Sequence, residues 1–83
     1  MPKLKQSRVE EAERTIMAVV VRNLIVAIAT DGRSQGEIAR AAGLHPAALS
    51  AIVTGHRRFS IRMVARLSVA LRIQPQWLLM EEP

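Results

Sequence analysis

Hydrophobic positions follow a helical period along most of this chain, and no stretch shows the strict alternation of a half-buried strand. The breaks between helical stretches fall at capping residues. Ser7 followed by Glu10 has the spacing of a capping box, which predicts a long helix from about Arg8 to Thr30 that ends at Asp31-Gly32. Ser34 and Glu37 repeat that spacing and open a second helix over about Gln35 to Ala42. Gly43 then supplies a positive φ at little cost. His45-Pro46 starts a third helix, with proline at the first helical position where its missing N–H is no loss, and Thr54-Gly55 ends it. After the loop His56-Arg57-Arg58-Phe59, Ser60 caps a fourth helix over about Ile61 to Leu71, with Ile61, Val64, Leu67 or Ser68, and Leu71 as its buried stripe. Gln74-Pro75 opens a last short helix carrying Trp77, Leu78 and Leu79. The prediction is an all-α domain of five helices.

Composition narrows what such a domain is for. Its 83 residues suit a single domain and include no cysteine, so neither a disulfide framework nor a thiolate metal site is on offer, and a reducing cytoplasm fits. The only aromatic residues are Phe59 and Trp77, so the core has to be aliphatic. The net charge is +5, and its distribution says more than its size. No acid falls between Ile38 and Met80, whereas Arg40, Arg57, Arg58, Arg62, Arg66 and Arg72 all do. A positive face of this kind predicts a polyanionic partner. The apolar run from Ile16 to Ala29 is broken by Arg22 and Asn23 and is shorter than the roughly 18 to 20 residues of a membrane span, so it reads as a soluble helix. Residues 1–7 form a basic tail, expected to be flexible, and are not followed by a signal-peptide core.

Within residues 34–55 the spacing becomes specific. Gln35, Ala39, Gly43, Leu49 and Ile52 stand where a helix-turn-helix needs them: Ala39 is small so that the third helix can cross close over the second, and Gly43 makes the turn. Ile38, Leu44, Leu49 and Ile52 bury the inner faces of the pair, which leaves Ala47, Ser50, Ala51 and Thr54 outward. This motif has one dominant use, insertion of its second helix into the major groove of DNA.

From Arg22 to Leu79 the chain resembles the phage Cro and lambda-type repressor family, also called XRE-like regulators. The resemblance rests on the run SQGEIARAAGLHPAALSAIVTGHRRFSIRMVARLSVALRIQPQWLL. It implies a lambda-repressor-like fold for residues 8–83 and a dimeric transcription regulator on a two-fold-related operator. In that family, Gln35 stands where a glutamine grips a phosphate, and Pro46, Ala47 and Ala51 stand where base edges are reached. Thr54, Arg57 and Arg58 stand where the DNA backbone is clamped.

The chain departs from the family pattern at two places. Direct readout of bases relies on bidentate partners such as Arg or Lys for guanine and Asn or Gln for adenine, and Pro46, Ala47 and Ala51 offer none. An alanine can touch a thymine methyl, and Ser50 or His45 can make one hydrogen bond. Phosphate contacts are better supplied, by Gln35, Arg57, Arg58, Arg62 and, as a further candidate, Arg40; such contacts fix position without reading sequence. The expected binding is therefore of modest specificity. The second departure is Arg72, at a helix end where glycine is usual. A left-handed arginine costs roughly 1 kcal/mol, so this helix is expected to end in another way.

The first helix is apolar around nearly its whole circumference and so calls for burial on every side. Self-association through Val19 and Val26, with Val69 as a contributor from the fourth helix, answers that demand. The rival reading is a protein-interaction module, such as an antitoxin or a phage or plasmid factor, that grips a protein partner through the same helix. Trp77 is expected as a core anchor, Phe59 as a pin for the loop against the fourth helix, and Met63 and Met80 as gap-fillers. Glu10, Glu11 and Glu13 lie at an exposed helix start and suit the helix dipole. His45 and His56 lack a second pair of ligands, so no metal is expected, nor any cofactor. No serine has a base beside it and no phosphate loop is present, so the chain is not expected to be an enzyme. The expected place of work is the cytoplasm, on the nucleoid.

Overall fold

The computed structural model describes residues 3–81 and contains four α-helices and one short 3-10 helix. The α-helices are α1 (Gln6–Asp31), α2 (Gln35–Ala41), α3 (Pro46–Val53) and α4 (Ile61–Leu71); the 3-10 helix is Pro75–Leu79. The fifth predicted helix is thus a 3-10 segment. Among the described residues no single helix is long and apolar enough to cross a membrane.

The starts of α2, α3 and α4 fall where the capping residues predict, and that of α1 does not. Ser34 Oγ accepts from the Glu37 amide while Glu37 Oε1 accepts from the Ser34 amide, both at 3.1 Å, so α2 opens on a complete capping box. His45 and Ser60 cap α3 and α4 through their own side chains. The Ser7–Glu10 box does not form. The helix is capped earlier, at Lys5, whose carbonyl accepts from Arg8 and Val9, and no side chain caps it. Ser7 therefore lies inside the first turn, and Gln6 and Ser7, assigned to the tail, are helical. Glu10, Glu11 and Glu13 lie beyond that turn, too far along to act on the helix dipole. Of the predicted tail, Met1 and Pro2 lie outside the described residues.

The core is aliphatic, as the shortage of aromatics demands. Val20, Leu24, Ile38, Leu49, Ile52, Leu67 and Leu78 are fully buried, with Ala27, Ala39 and Ala42 between them. The predicted stripe of α4 holds at Leu67, Ser68 and Leu71 but fails at Ile61, which is 90% exposed at the helix start, where no other element covers it. Trp77 is half-buried at the core's edge, and the fully buried anchor of that segment is its neighbour Leu78. Met80 is exposed, so Met63 alone packs as a gap-filler against the core.

Asn23, which the sequence pattern presents as a break in an apolar run, is the residue that fixes the C-terminal segment. It is fully buried, and its Nδ2 donates to the carbonyls of Trp77, Leu78 and Met80 at 3.3, 2.9 and 2.7 Å. The Trp77 carbonyl also takes the Met80 amide at 3.2 Å, whereas the Leu78 carbonyl depends on this one buried amide from the middle of α1. Its Oδ1 has no hydrogen-bond partner among the described residues, so the donors alone orient the group.

The end of α4 departs from expectation in an instructive way. Arg72 is left-handed after all, with φ 59° and ψ 42°. The Arg72 amide bonds back to the carbonyls of Ser68 and Val69, and the Ile73 amide donates to Ser68 at 3.0 Å. Ile73 packs against the core. These contacts outweigh the roughly 1 kcal/mol that the left-handed conformation costs a non-glycine residue.

The turn between α1 and α2 is tied to α4. Arg33 forms a two-pronged pair with Asp31, at 2.7 and 3.0 Å, and its guanidinium also donates to the Ala70 carbonyl at 2.6 Å. The hydrogen bond from Arg33 holds the Asp31 carboxyl below its ordinary pKa, and the backbone bond from Ser34 does the same for Glu37.

Both sets of contacts can be tested through stability. Asn23→Leu keeps the branched shape but removes the donor, which leaves the buried Leu78 carbonyl without a partner and the Trp77 and Met80 carbonyls with only the Met80 amide and Arg22. It is expected to lower stability by about 1–3 kcal/mol and the melting temperature by roughly 4–8 °C for each of these. A circular-dichroism melt indistinguishable from the parent rules that role out. Because the folded-state pKa values of Asp31 and Glu37 are depressed, their stabilisation is present above the ordinary carboxylate pKa and is lost as pH falls through the folded value. Melting temperature is expected to change little between about pH 7 and 5 and to fall below about pH 4. Glu37→Gln retains the box's acceptor while removing its titration, so it should make the acid limb shallower; an identical limb contradicts the assignment.

Candidate nucleic-acid interface

The helix pair is built by the shortest residues in it. Ala39 is fully buried where α2 meets α3, and Ala42 is nearly so. Gly43 turns the chain at φ +71°, and the Leu44 amide then closes back onto the Ala39 carbonyl at 2.8 Å. A Cβ at Gly43 would meet Arg66 Nη1 at 3.4 Å, and the same Nη1 donates to the Gly43 carbonyl at 3.3 Å. Arg66 thus serves the turn, a role that sequence reasoning missed because it lies 23 residues away.

The side chains of α3 divide much as the sequence predicts. Leu49 and Ile52 are fully buried, Leu44 is half-buried against the core, and Ala47, Ser50 and Thr54 are exposed. Ala51, expected to face outward, is half-buried, because the loop that follows folds back over it. The amides of His56 and Arg57 both donate to the Ala51 carbonyl, at 2.8 and 3.2 Å. Pro46 is half-buried at the start of the helix.

Two histidines have their protons placed by neighbouring groups. His45 Nδ1 accepts from the Ala47 amide at 3.1 Å, which in the neutral ring leaves the proton on Nε2. The cap therefore presents an exposed N–H beside the first turn of α3. Thr54 Oγ1 donates to the Ser50 carbonyl at 2.8 Å, and His56 Nδ1 lies 2.9 Å from that oxygen. While the hydroxyl proton stays on the Ser50 carbonyl, His56 Nδ1 donates to Thr54 Oγ1, so the hydroxyl is held from both sides.

The predicted phosphate ligands are only partly brought together. Gln35 stands half-buried at the first position of α2. Arg57 and Arg58 are exposed on the loop after α3, and Arg58 Nη2 lies 3.0 Å from Glu13 Oε1 of α1. Arg62 and Arg66 sit apart from that loop, in a shallow groove with Ala41, Ala42, Ala65 and Val69. The Arg40 guanidinium lies over the start of α2, close to Gly36. Phe59, expected against α4, lines a groove with Val9, Ala12, Ile16 and Met17 of α1.

Of the three residues assigned to self-association, Val19 and Val26 share a face of α1 and Val69 falls on another surface. Val19 is half-buried in a groove with Thr15, Ile16 and Leu79, while Val26 is exposed further along α1. Val69, 78% exposed, belongs to the groove between α2 and α4. Among the described residues no group of His, Asp or Glu side chains is arranged to hold a metal ion.

Comparison with known proteins agrees with this geometry. A family model described as helix-turn-helix matches residues 31–78, more than half of the chain. Among solved structures, the crystal structure of the hypothetical transcription factor NHTF from Neisseria superposes with a TM-score of 0.75 at 24% identity. The alignment covers 96% of this chain and 85% of that one, a likeness of fold. No curated protein sequence matches the chain.

Proposed function

This chain belongs to the XRE-type helix-turn-helix family, and on that premise we propose that it is a sequence-preferring, repressor-like transcriptional regulator that binds double-stranded DNA as a dimer. Residues 8–83 act as one domain in this reading, with the helix-turn-helix at 34–55, and the site of action is the nucleoid in the cytoplasm. The observation that carries the reading is the exposed edge made by His45, Ala47, Ser50 and Thr54, flanked by the loop arginines Arg57 and Arg58. α3 lies in the major groove, and the exposed N–H of His45 and the hydroxyl of Ser50 are its polar readers, with Ala47 toward thymine methyls. Pro46 and Ala51, both half-buried, contribute at the margin. Gln35, Arg57 and Arg58 hold phosphates, and Thr54 stands exposed beside them at the end of α3. Arg62, in the separate α2–α4 groove, contributes from the flank.

Self-association follows one flank of α1, where half-buried Val19 lies beside Leu79, itself 56% exposed, and exposed Val26 continues the same face two turns on. Val69 lies in another groove and adds only a second apolar patch. One feature favours the rival reading of a protein-binding module: the open, mainly apolar groove between Phe59 and Val9, Ala12, Ile16 and Met17, edged by Glu13 and Arg58. The rival leaves the acid-free arginine stretch without a purpose, so DNA is the favoured partner.

Two measurements test the reading. Charge reversal at Arg57 and Arg58 together is expected to weaken binding to every duplex and to make the fall of log K with log salt shallower, by roughly 0.9 for each phosphate that the loop no longer neutralises. Unchanged affinity in fluorescence anisotropy removes the loop from the interface. Ala47→Gln is expected to change the preferred site, by about 1–3 kcal/mol of discrimination at one base pair, with little loss of overall affinity. If selection from random duplexes returns the parent's site, α3 does not read the groove.

A further inference from the structure

The first half of α1 and the loop after α3 carry opposite charges and face each other. Glu10, Glu13, Arg14 and Met17 form one wall of an open cleft, and the loop from Gly55 to Arg58 forms the other. Across it, Arg58 Nη2 is 3.0 Å from Glu13 Oε1, with the two side chains 75% and 46% exposed. Arg57 lines the same cleft and has no carboxylate within ion-pair distance among the described residues. These acids are the ones that no dipole accounts for, since the first turn of α1 contains none.

A guanidinium treats carboxylate and phosphate alike, as anions that accept its fork of N–H donors. Glu13 takes one N–H of Arg58 Nη2 and offsets its charge, so a phosphate arriving there meets a guanidinium already partly engaged. We propose that Glu13 is an internal competitor for the phosphate that Arg58 binds, so that the acidic start of α1 sets the affinity of the loop for a polyanion. This inference rests on the DNA reading above. Two effects act in the same direction. The phosphate shares Arg58 with a carboxylate that occupies Nη2, and that carboxylate stays on α1 beside the cleft, close enough to repel the incoming phosphate at low salt. The pair is exposed and therefore weak, so it opens readily. The result is a graded reduction of affinity in place of a lock.

The experiment compares Glu13→Gln with Glu11→Gln in the full chain. Both remove one negative charge from the same helix, but Glu11 does not line the cleft. By anisotropy on a random duplex of about 30 base pairs, Glu13→Gln is expected to bind about two- to fivefold more tightly than Glu11→Gln at about 50 mM salt. The difference should shrink at about 300 mM salt, where surface charges are screened. With Arg58→Gln in the background, the two substitutions should become equivalent, which assigns the effect to this pair. Equal or weaker binding by Glu13→Gln than by Glu11→Gln overturns the inference while leaving the DNA reading intact. Elution from heparin provides a polyanion of no sequence. If the parent ignores duplex DNA, later elution of Glu13→Gln than Glu11→Gln still upholds the competition, and equal elution overturns it.

Discussion

The face that this molecule offers depends on how closely α2 and α3 can approach, and Ala39 sets that distance. The residue is fully buried, and the chain turns back over it at Gly43 so tightly that the Leu44 amide reaches the Ala39 carbonyl. A larger side chain at Ala39 would push α3 outward and carry His45, Ala47, Ser50 and the arginine loop with it. The rest of the domain braces this contact from outside. Arg66 reaches from α4 to the turn, Arg33 ties the start of α2 to the end of α4, and Asn23 holds the C-terminal segment against α1. Positioning of the exposed edge is thus a matter of buried alanines and a glycine, braced by Arg33 and Arg66 from outside.

Much of this architecture is legible in the sequence because its signals are local. A capping box needs only Ser34 and Glu37, a proline at the first helical position needs only Pro46, and the stop at Gly43 needs only a residue without a Cβ. The errors share a different origin. The Ser7–Glu10 spacing looks like a cap, but nothing packs on that end of α1 to select one start over another, and the helix is capped at Lys5. Arg72 carries no local sign of a left-handed residue; two backbone bonds and the packing of Ile73 impose it. Asn23, Arg33 and Arg66 are silent for the same reason, since each acts on a residue distant along the chain or on a backbone carbonyl that any sequence would provide.

The candidate site is less legible than the fold, and the charges show why. A count of arginines treats Arg57, Arg58, Arg62 and Arg66 as one basic face. In the folded chain they divide into a loop beside α3 and a groove between α2 and α4, and one of them already faces a carboxylate. Net charge is a property of the sequence, but the charge available to a ligand depends on which side chains are engaged within the protein. The same holds for hydrogen-bond capacity. The Thr54 hydroxyl and one nitrogen of each histidine are spent internally, so α3 offers fewer donors than its residue types suggest.

The length of α1 has a consequence for how the molecule breathes. From Lys3 to Ile16 every residue is exposed, and the first fully buried side chain is Val20. A helix of about a dozen residues is marginal in water by itself, and this one is met along one side by Phe59 and Arg58. The outer half is therefore expected to open at lower free energy than the inner half, releasing Phe59 and Arg58 as it does, while the inner half opens with the core. One continuous helix holds two cooperative units, with the boundary near Met17.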